Sequence, residues 1–502
     1  MATTALFSTT KKCAATAAML VGTAGCTEST ERVWDDVRKA EIASVLRSAD
    51  LPLAHERPDL VAGKYSLMAD SPYAFFRGTL PLYLYDWERN TSGAAESAFE
   101  GVPVLSVGDP HLENVGTLRA SDGTLGLEVN DFDAASVHTY LWDVRRLATA
   151  VALGCHVAKA DDNEGCNDKD GRPRDVAKAF ANAYAETLVE LADGAAPERI
   201  VEESDHPILE DLFQRAQLGA ETKSELTDLT IFEGGQRRLK RGRVDPDDPS
   251  EELLDLPAWV FTSLPKALEE YTTTLVEPVP SSHLQVLDAA RAMGSGVASF
   301  PRFRLFILVS GPTDSPDDDE IFELKELADA VGPSDLPSNL EFTSNRERIV
   351  LTSRAAWGTA LAAPYWGTTE FAGFAAQVRW VSGSQKTVRT RRLRDDLGTK
   401  DALEKMASTM GRLLARVHAS PLKAGELSPA PMVANVFRND VDGFVDEQAD
   451  WGEASALRAL DDFECFQDAL VDFGPLLGTL PSQGKAPPPD MADLYNGIKP
   501  AE

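Results

Sequence analysis

Residues 107–133 read VGDPHLENVGTLRASDGTLGLEVNDFD, and this stretch constrains the chain more than any other. It puts Asp109, His111 and Asn114 on one short loop, and groups Asn130, Asp131 and Asp133 around Phe132 after a hairpin-like segment. Asp and Asn five positions apart, followed seventeen positions later by a second Asp, is the spacing of a metal–nucleotide site. One carboxylate can orient or deprotonate a nucleophile, while an amide oxygen and a second carboxylate hold Mg2+.

The flanking sequence supplies the frame. The apolar run 102–107 reads as a strand entering the loop, and Ser121-Asp122-Gly123 as the turn of a hairpin. LWDVRRLATAVALG has helical spacing, as does DVAKAFANAYAETLVELA, with Val176, Phe180, Tyr184, Leu188 and Leu191 on one face. A helix is expected within 27–60. SPYAFFRGT (71–79) is an aromatic cluster whose Arg77 is a candidate to face the site. Residues 200–275 read as mostly helical. Beyond VEPVPSS the chain changes character: HLQVLDAARAM reads as a helix, GSGVAS as a glycine turn, and RFRLFILVSG and EIFELKEL as strands. Residues 401–419 form an amphipathic helix, and the proline-rich end reads as poorly ordered. The fold class is α+β. The expected divisions are a signal segment 1–26, a mainly helical lobe 27–276 with the loop, a β-rich smaller lobe 277–400, helices 401–475 completing the larger lobe, and a disordered tail 476–502.

With 502 residues, 43% of them hydrophobic, the chain can bury a substantial core. Its formal charge of −31 argues against a nucleic-acid partner, which requires basic surface. Two basic runs interrupt the acidity. Residues 236–243 read as a solvated loop or edge strand, and 386–394 is open between that role and a phosphate-facing one. Lys11 and Lys12 precede a short apolar stretch ending in TAGC at 23–26, similar to a lipoprotein cleavage box with Cys26 as the lipidated residue. The expectation is export, to the periplasm or to the outer membrane through a lipid anchor at Cys26, with a cytoplasmic protein as the alternative. Cys155 and Cys166 could close a disulfide in an exported chain, and Cys465 reads as a buried thiol.

Two chemical readings of the motifs compete. A glycine turn between strands presents backbone N–H groups to phosphate, and Lys325 on the next strand can neutralise phosphate oxygens. Combined with the 107–133 spacing, this supplies the second half of a kinase-like site. Asp-x-His at 109–111 also suggests a metallophosphoesterase. That chemistry needs a larger histidine set, and the chain's seven histidines form no such cluster in sequence.

Taken in order, GDPHLENVG, NDFDAAS, WDVRRLA, AARAMGSGVASFPRFRLFILVSG, FELKE and MGRLLARVHA resemble the bacterial family termed domain of unknown function 2252, from about residue 70 to 470. The first block is also similar to the aminoglycoside phosphotransferase and choline kinase branch of the protein-kinase-like superfamily, with its GD-x-H-x-x-N loop followed by I-D-F-D. The resemblance implies a two-lobed kinase-like fold and phosphoryl transfer from Mg2+-bound ATP to a small-molecule or protein hydroxyl. It implies Asp109 as catalytic base with His111 supporting it, and Asn114 and Asp131 as metal ligands with Asp133 beside them. Lys325 would contact phosphates beneath the turn of Gly294 and Gly296, and Asp143 would brace the loop. Turn and lysine follow the loop instead of preceding it, which implies a circular permutation: helical catalytic lobe first, nucleotide lobe later. The chain departs from the pattern at Val107, where a histidine often stands, and in 346–353, which lacks a glutamate at the position where the family carries one. Glu341 and Glu347 are then the candidates for the lysine's partner. A catalytically inactive kinase-fold binding protein at the cell envelope is the alternative, because the periplasm lacks a standing ATP pool.

Overall fold

The computed structural model describes residues 27–498 apart from 90–96, 161–163, 167–170, 202–204, 245–250, 280–282, 295, 314, 334–341, 359–362, 422–425 and 482–486. The expected signal segment with Cys26, and Glu341, lie outside the described residues. Four helices come first: α1 (Thr27–Glu56), α2 (Pro58–Met68), α3 (Pro72–Gly78) and α4 (Leu80–Arg89). Then β1 (Pro103–Ser106) leads into the loop, and β2 (Val115–Arg119) and β3 (Leu125–Val129) form the hairpin. β4 (Ser136–Thr139) returns to pair with β1 and runs directly into α5 (Tyr140–Val157). The loop is thus closed at its base by the β1–β4 pair. Helices α6 (Arg172–Ala192), α7 (Pro207–Thr222) and α8 (Ser224–Leu229) follow.

The sheet starts earlier than the expected boundary at 276. After the hairpin β5 (Thr230–Glu233) and β6 (Gln236–Leu239) come β7 (Gly242–Arg243), β8 (Glu252–Leu254) and the helix α9 (Ala258–Thr272). The rest is β9 (Val286–Met293), β10 (Arg304–Val309), β11 (Glu320–Glu326), α10 (Asn345–Ala356), β12 (Gly367–Phe371) and β13 (Phe374–Val381). They make one seven-stranded antiparallel sheet ordered β12-β13-β11-β10-β9-β8-β7. HLQVLDAARAM, expected as a helix, contributes β9 instead. Its alanines give high helix propensity, but Ala289, Ala290 and Ala292 are buried between neighbouring strands and the layers above and below. Tertiary burial overrides local preference there. Asp288 and Arg291 are satisfied in the strand, Asp288 by Arg241 at 3.1 Å and Arg291 by the Tyr495 carbonyl at 2.8 Å.

The chain ends with α11 (Lys400–Ala419), α12 (Ala430–Phe437), α13 (Val441–Phe473) and α14 (Pro489–Asn496). The largest core joins α5, α6, α11 and α13 to the loop-bearing segment, through residues such as Leu112, Phe132, Trp142, Phe180 and Met410. A second core packs α9 and α14 on one face of the sheet. Residues 476–502, expected as a disordered tail, therefore include an ordered helix. Proline at its first position sets φ for helix entry. Tyr495 is buried with its ring 3.6 Å from the Arg57 guanidinium, and Ile498 exchanges backbone hydrogen bonds with Asp255. Cys155 and Cys166 form a disulfide that ties the end of α5 to the following loop, and Cys465 is free and buried. Among the described residues no helix is long and apolar enough to cross a membrane. The fold class is α+β, as the sequence predicts.

Candidate active site

Backbone geometry shapes the loop first. Gly108 has φ +85°, and a Cβ there would lie 2.1 Å from the Ala134 carbonyl oxygen, so only glycine lets the two loops approach this closely. Asp143, fully buried on the first turn of α5, then fastens the loop. Its Oδ1 accepts from Ser106 Oγ (2.8 Å) and Gly108 N (3.0 Å), and its Oδ2 from Val107 N (2.6 Å). His418, near the end of α11, sits with Nε2 3.2 Å from the same Oδ2 and Nδ1 2.9 Å from the Tyr184 hydroxyl. Trp142 Nε1 donates to the Gly108 carbonyl at 2.7 Å. Asp143 thus takes the bracing position that the family resemblance implies.

This frame fixes Asp109. Arg146, one turn beyond Asp143 and almost completely buried, donates from Nε to Asp109 Oδ1 at 2.8 Å and from Nη2 to the Phe76 carbonyl at 2.7 Å. Burial pushes the Asp109 carboxyl above the usual carboxylate range, and Arg146 offsets only part of that rise. Asn114 donates from Nδ2 to the Asp109 carbonyl at 2.7 Å, which leaves Oδ1 as the atom it can offer a cation. His111 accepts at Nδ1 from the Glu113 N–H at 3.2 Å, and burial, with Arg77 and Arg146 nearby, keeps the imidazole neutral. Arg77 pairs with Glu113 at 2.6 Å, while its buried Nε has no hydrogen-bond partner among the described residues.

The sheet supplies the opposite side. Alternation along β11 puts Glu323 and Lys325 on one face and Phe322 and Leu324 on the other. Cross-strand register sets Arg304 opposite Lys325 on β10, and Arg379 opposite Glu323 on β13. Lys325 Nζ lies 2.7 Å from Asp133 Oδ2 and 3.6 Å from Asp131 Oδ1. Burial alone would raise the Asp131 carboxyl, but Lys325, the Asp133 N–H and Arg379 hold it below the usual range. Two carboxylates in one site are therefore pushed apart, Asp109 up and Asp131 down, the pattern that separates a proton acceptor from a permanently ionised ligand. Glu347, left open as the lysine's partner, instead accepts from Thr343 at the start of α10. That helix approaches the site through the buried Arg348, whose Nη1 donates to the carbonyls of Phe132 (3.3 Å), Asp133 (2.9 Å) and Ala135 (2.7 Å).

A cavity of about 200 Å3 joins these groups: Asp109, His111, Asn114, Asp131 and Asp133 line one side, Arg77 another, and Gly296 with Ser299 a third. Gly294 and Gly296 both have positive φ, 88° and 78°, but only Gly296 reaches the cavity wall. Lys325 stands behind the two aspartates and is not on the wall. The basic run 386–394 passes beside the loop, with Arg389 3.8 Å from Glu113, and adds nothing to the cavity lining. The run 236–243 occupies sheet-edge strands and pairs with Asp288 and Asp319. Arg146, Arg348, Asp50, Lys64 and Arg302 are site residues that the sequence reading leaves out. A pair of arginines on the apolar helix 140–157 was the available signal for the first. The others depend on long-range packing that no local pattern encodes.

A family of uncharacterized proteins conserved in bacteria, DUF2252, matches residues 56–469. The chain belongs to this family. The matched span holds the groups around the cavity from Lys64 to Val331, while Asp50 precedes it. No curated protein and no solved structure matches the chain.

The donors suit a hard cation. Asn114 Oδ1 and the Asp131 and Asp133 carboxylates are oxygen donors, and Asp133 Oδ1 is buried without a hydrogen-bond partner among the described residues. Among the described residues no three His, Cys, Asp or Glu side chains converge as a ready cluster. An amide and two carboxylates, with water and phosphate completing the shell, is the arrangement Mg2+ takes where a protein does not encage it.

Proposed function

We infer that this protein is a magnesium- and nucleotide-dependent phosphotransferase of kinase-like architecture, acting on a hydroxyl of a small molecule or protein. The observation that carries this reading is the meeting, in one cavity, of Asp109, Asn114 and Asp131 with a glycine turn lying about 180 residues downstream. The order of elements supports it. Glycine turn, second strand and lysine on the third strand run β9, β10, β11, with a helix next, the sequence of parts by which protein kinases grip phosphates. Those parts follow the loop in the chain while packing against it, an order that supports the reading of a circular permutation. Asp109, with its raised carboxyl, accepts the proton of the attacking hydroxyl, and Arg146 and Asp143 position it. Asn114, Asp131 and Asp133 would hold Mg2+, which supplies charge neutralisation on the phosphates. His111 stays neutral and lines the cavity. The Cys155–Cys166 disulfide supports the exported placement.

One observation favours a second reading, a catalytically silent binding protein. Lys325 already spans the two carboxylates, and α10 offers it no described acidic partner. Transfer or hydrolysis of the ATP γ-phosphate, measured with Mg2+ for wild type and Asp109→Asn, separates the two. The phosphotransferase reading expects turnover in wild type and a loss of at least about a hundredfold in the variant. Nucleotide binding with no wild-type turnover would select the silent protein.

A further inference from the structure

The N-terminal helices form a wall of the cavity that the reaction above leaves without a task. Three contacts fix the glycine turn onto them. Val297 is buried in the cluster containing Leu46, Tyr65 and Met68. A Cβ on Gly63 would lie 2.4 Å from the Phe300 ring, so the α2 backbone rests against that side chain. Arg57 Nη1 donates to the Pro301 carbonyl at 3.1 Å. The residue after Gly63 is Lys64, 4% exposed and on the cavity wall. Its Nζ lies 2.9 and 2.7 Å from the two oxygens of Asp50, and among the described residues no other acceptor engages it. Arg302, at the other end of the turn, also lines the cavity. Its Nη1 donates to the Leu327 carbonyl (3.2 Å) and faces Glu326 (3.4 Å), and among the described residues no acceptor engages its Nε or Nη2.

We propose that Lys64 and Arg302 grip the phosphate chain of the phosphoryl donor, with α1 and α2 as a fixed jaw that carries the glycine turn. The proposal rests on the phosphotransferase reading and adds the cations that Lys325, held behind Asp131 and Asp133, does not present to the cavity. The ligand chemistry is a condensed phosphate, supplied by a nucleoside triphosphate or by free tripolyphosphate. The cavity also faces the carboxylates of Asp50, Asp109, Asp131, Asp133 and Asp329, so the phosphate enters as its magnesium complex.

Calorimetric titration of the full chain with Mg-ATP and with Mg-tripolyphosphate tests this. The set is wild type, Lys64→Gln, Lys64→Arg, Arg302→Gln, Asp131→Ala and the double variant Asp50→Asn/Lys64→Gln. Each loss of a cation is expected to weaken both probes about tenfold, as for one charge-assisted hydrogen bond, with Lys64→Arg retaining most of the affinity. The double variant leaves no carboxylate buried alone, so it reads the same loss if Lys64→Gln fails to fold, and Arg302→Gln reads it independently. Unchanged affinity for both probes in the Lys64 and Arg302 variants, while Asp131→Ala loses binding, overturns the proposal and leaves the phosphotransferase reading intact. Weakening on Mg-ATP alone overturns it too, because the contact would then be with the nucleoside. Absence of wild-type binding to either probe removes the underlying reading and this one with it.

Discussion

Asp143→Asn should loosen the loop that carries Asp109, and the size of the effect follows from four distances. Oδ1 serves Ser106 Oγ and Gly108 N at 2.8 and 3.0 Å, and Oδ2 serves Val107 N and His418 Nε2 at 2.6 and 3.2 Å. An amide keeps one oxygen and places an NH2 where two donors converge. The cheaper orientation turns the NH2 toward Ser106, whose hydroxyl can rotate to accept, and it leaves Gly108 N without its charged acceptor. Charge-assisted hydrogen bonds contribute about 1.5–3 kcal/mol each, and the change also weakens the surviving bonds, so the local cost is about 2–4 kcal/mol. The assay is amide hydrogen exchange of the peptide spanning 104–112. Its protection should fall roughly 30- to 700-fold at unchanged intrinsic exchange rate, while peptides of α9 and β10 keep theirs. Exchange within threefold of wild type would refute the bracing role, and with it the argument that the loop is pre-shaped.

Further outcomes follow from the charges around the site. The acidic limb of any turnover should lie above the ordinary aspartate range, because Asp109 must be deprotonated and burial raises its carboxyl. Arg146→Gln removes a group that lowers it, so the limb should move to higher pH, and a downward move would exclude Asp109 as the titrating group. Against the effect of burial, Arg304 and Arg379 hold Glu323 down to about 2. A depressed carboxylate stabilises the fold above its ordinary pKa of 4.5 and loses that contribution as pH falls toward about 2, so acid unfolding of Glu323→Gln should be less steep across that window. Arg348→Lys keeps the charge but cannot fork to three carbonyls. It should cost about 2–3 kcal/mol by chemical denaturation, and a neutral result would remove α10 from the support of the 131–135 loop.

The parts legible in the sequence were those whose chemistry or period is local. The strand, loop and hairpin at 102–129 carry their own turn signals, and α5, α6 and α11 show apolar residues at helical spacing. Asp109, Asn114 and Asp131 stood out because few structural needs place those groups at those intervals. What stayed hidden depends on distant neighbours. β9 reads as a helix because its alanines prefer one, until strands on both sides bury them. The last helix hides in a proline-rich composition, and its order comes from Arg57 and from Arg291 on β9. Glu341 and Glu347 are the near candidates to pair with Lys325 in the sequence, whereas its described partners lie on the 131–133 loop, about 190 residues upstream. Lys64 sits in an unremarkable helix and becomes a cavity residue only because Gly63 lets α2 touch Phe300.

On the proposed function, Asp131 and its neighbours form a magnesium–nucleotide site. Binding of ATP to the purified chain, with and without Mg2+, for wild type and Asp131→Ala tests it most directly. Magnesium-dependent binding is expected in wild type, with a loss of at least about tenfold in the variant and the fold intact by circular dichroism. Wild-type binding that ignores magnesium, or affinity unchanged in Asp131→Ala, would contradict it.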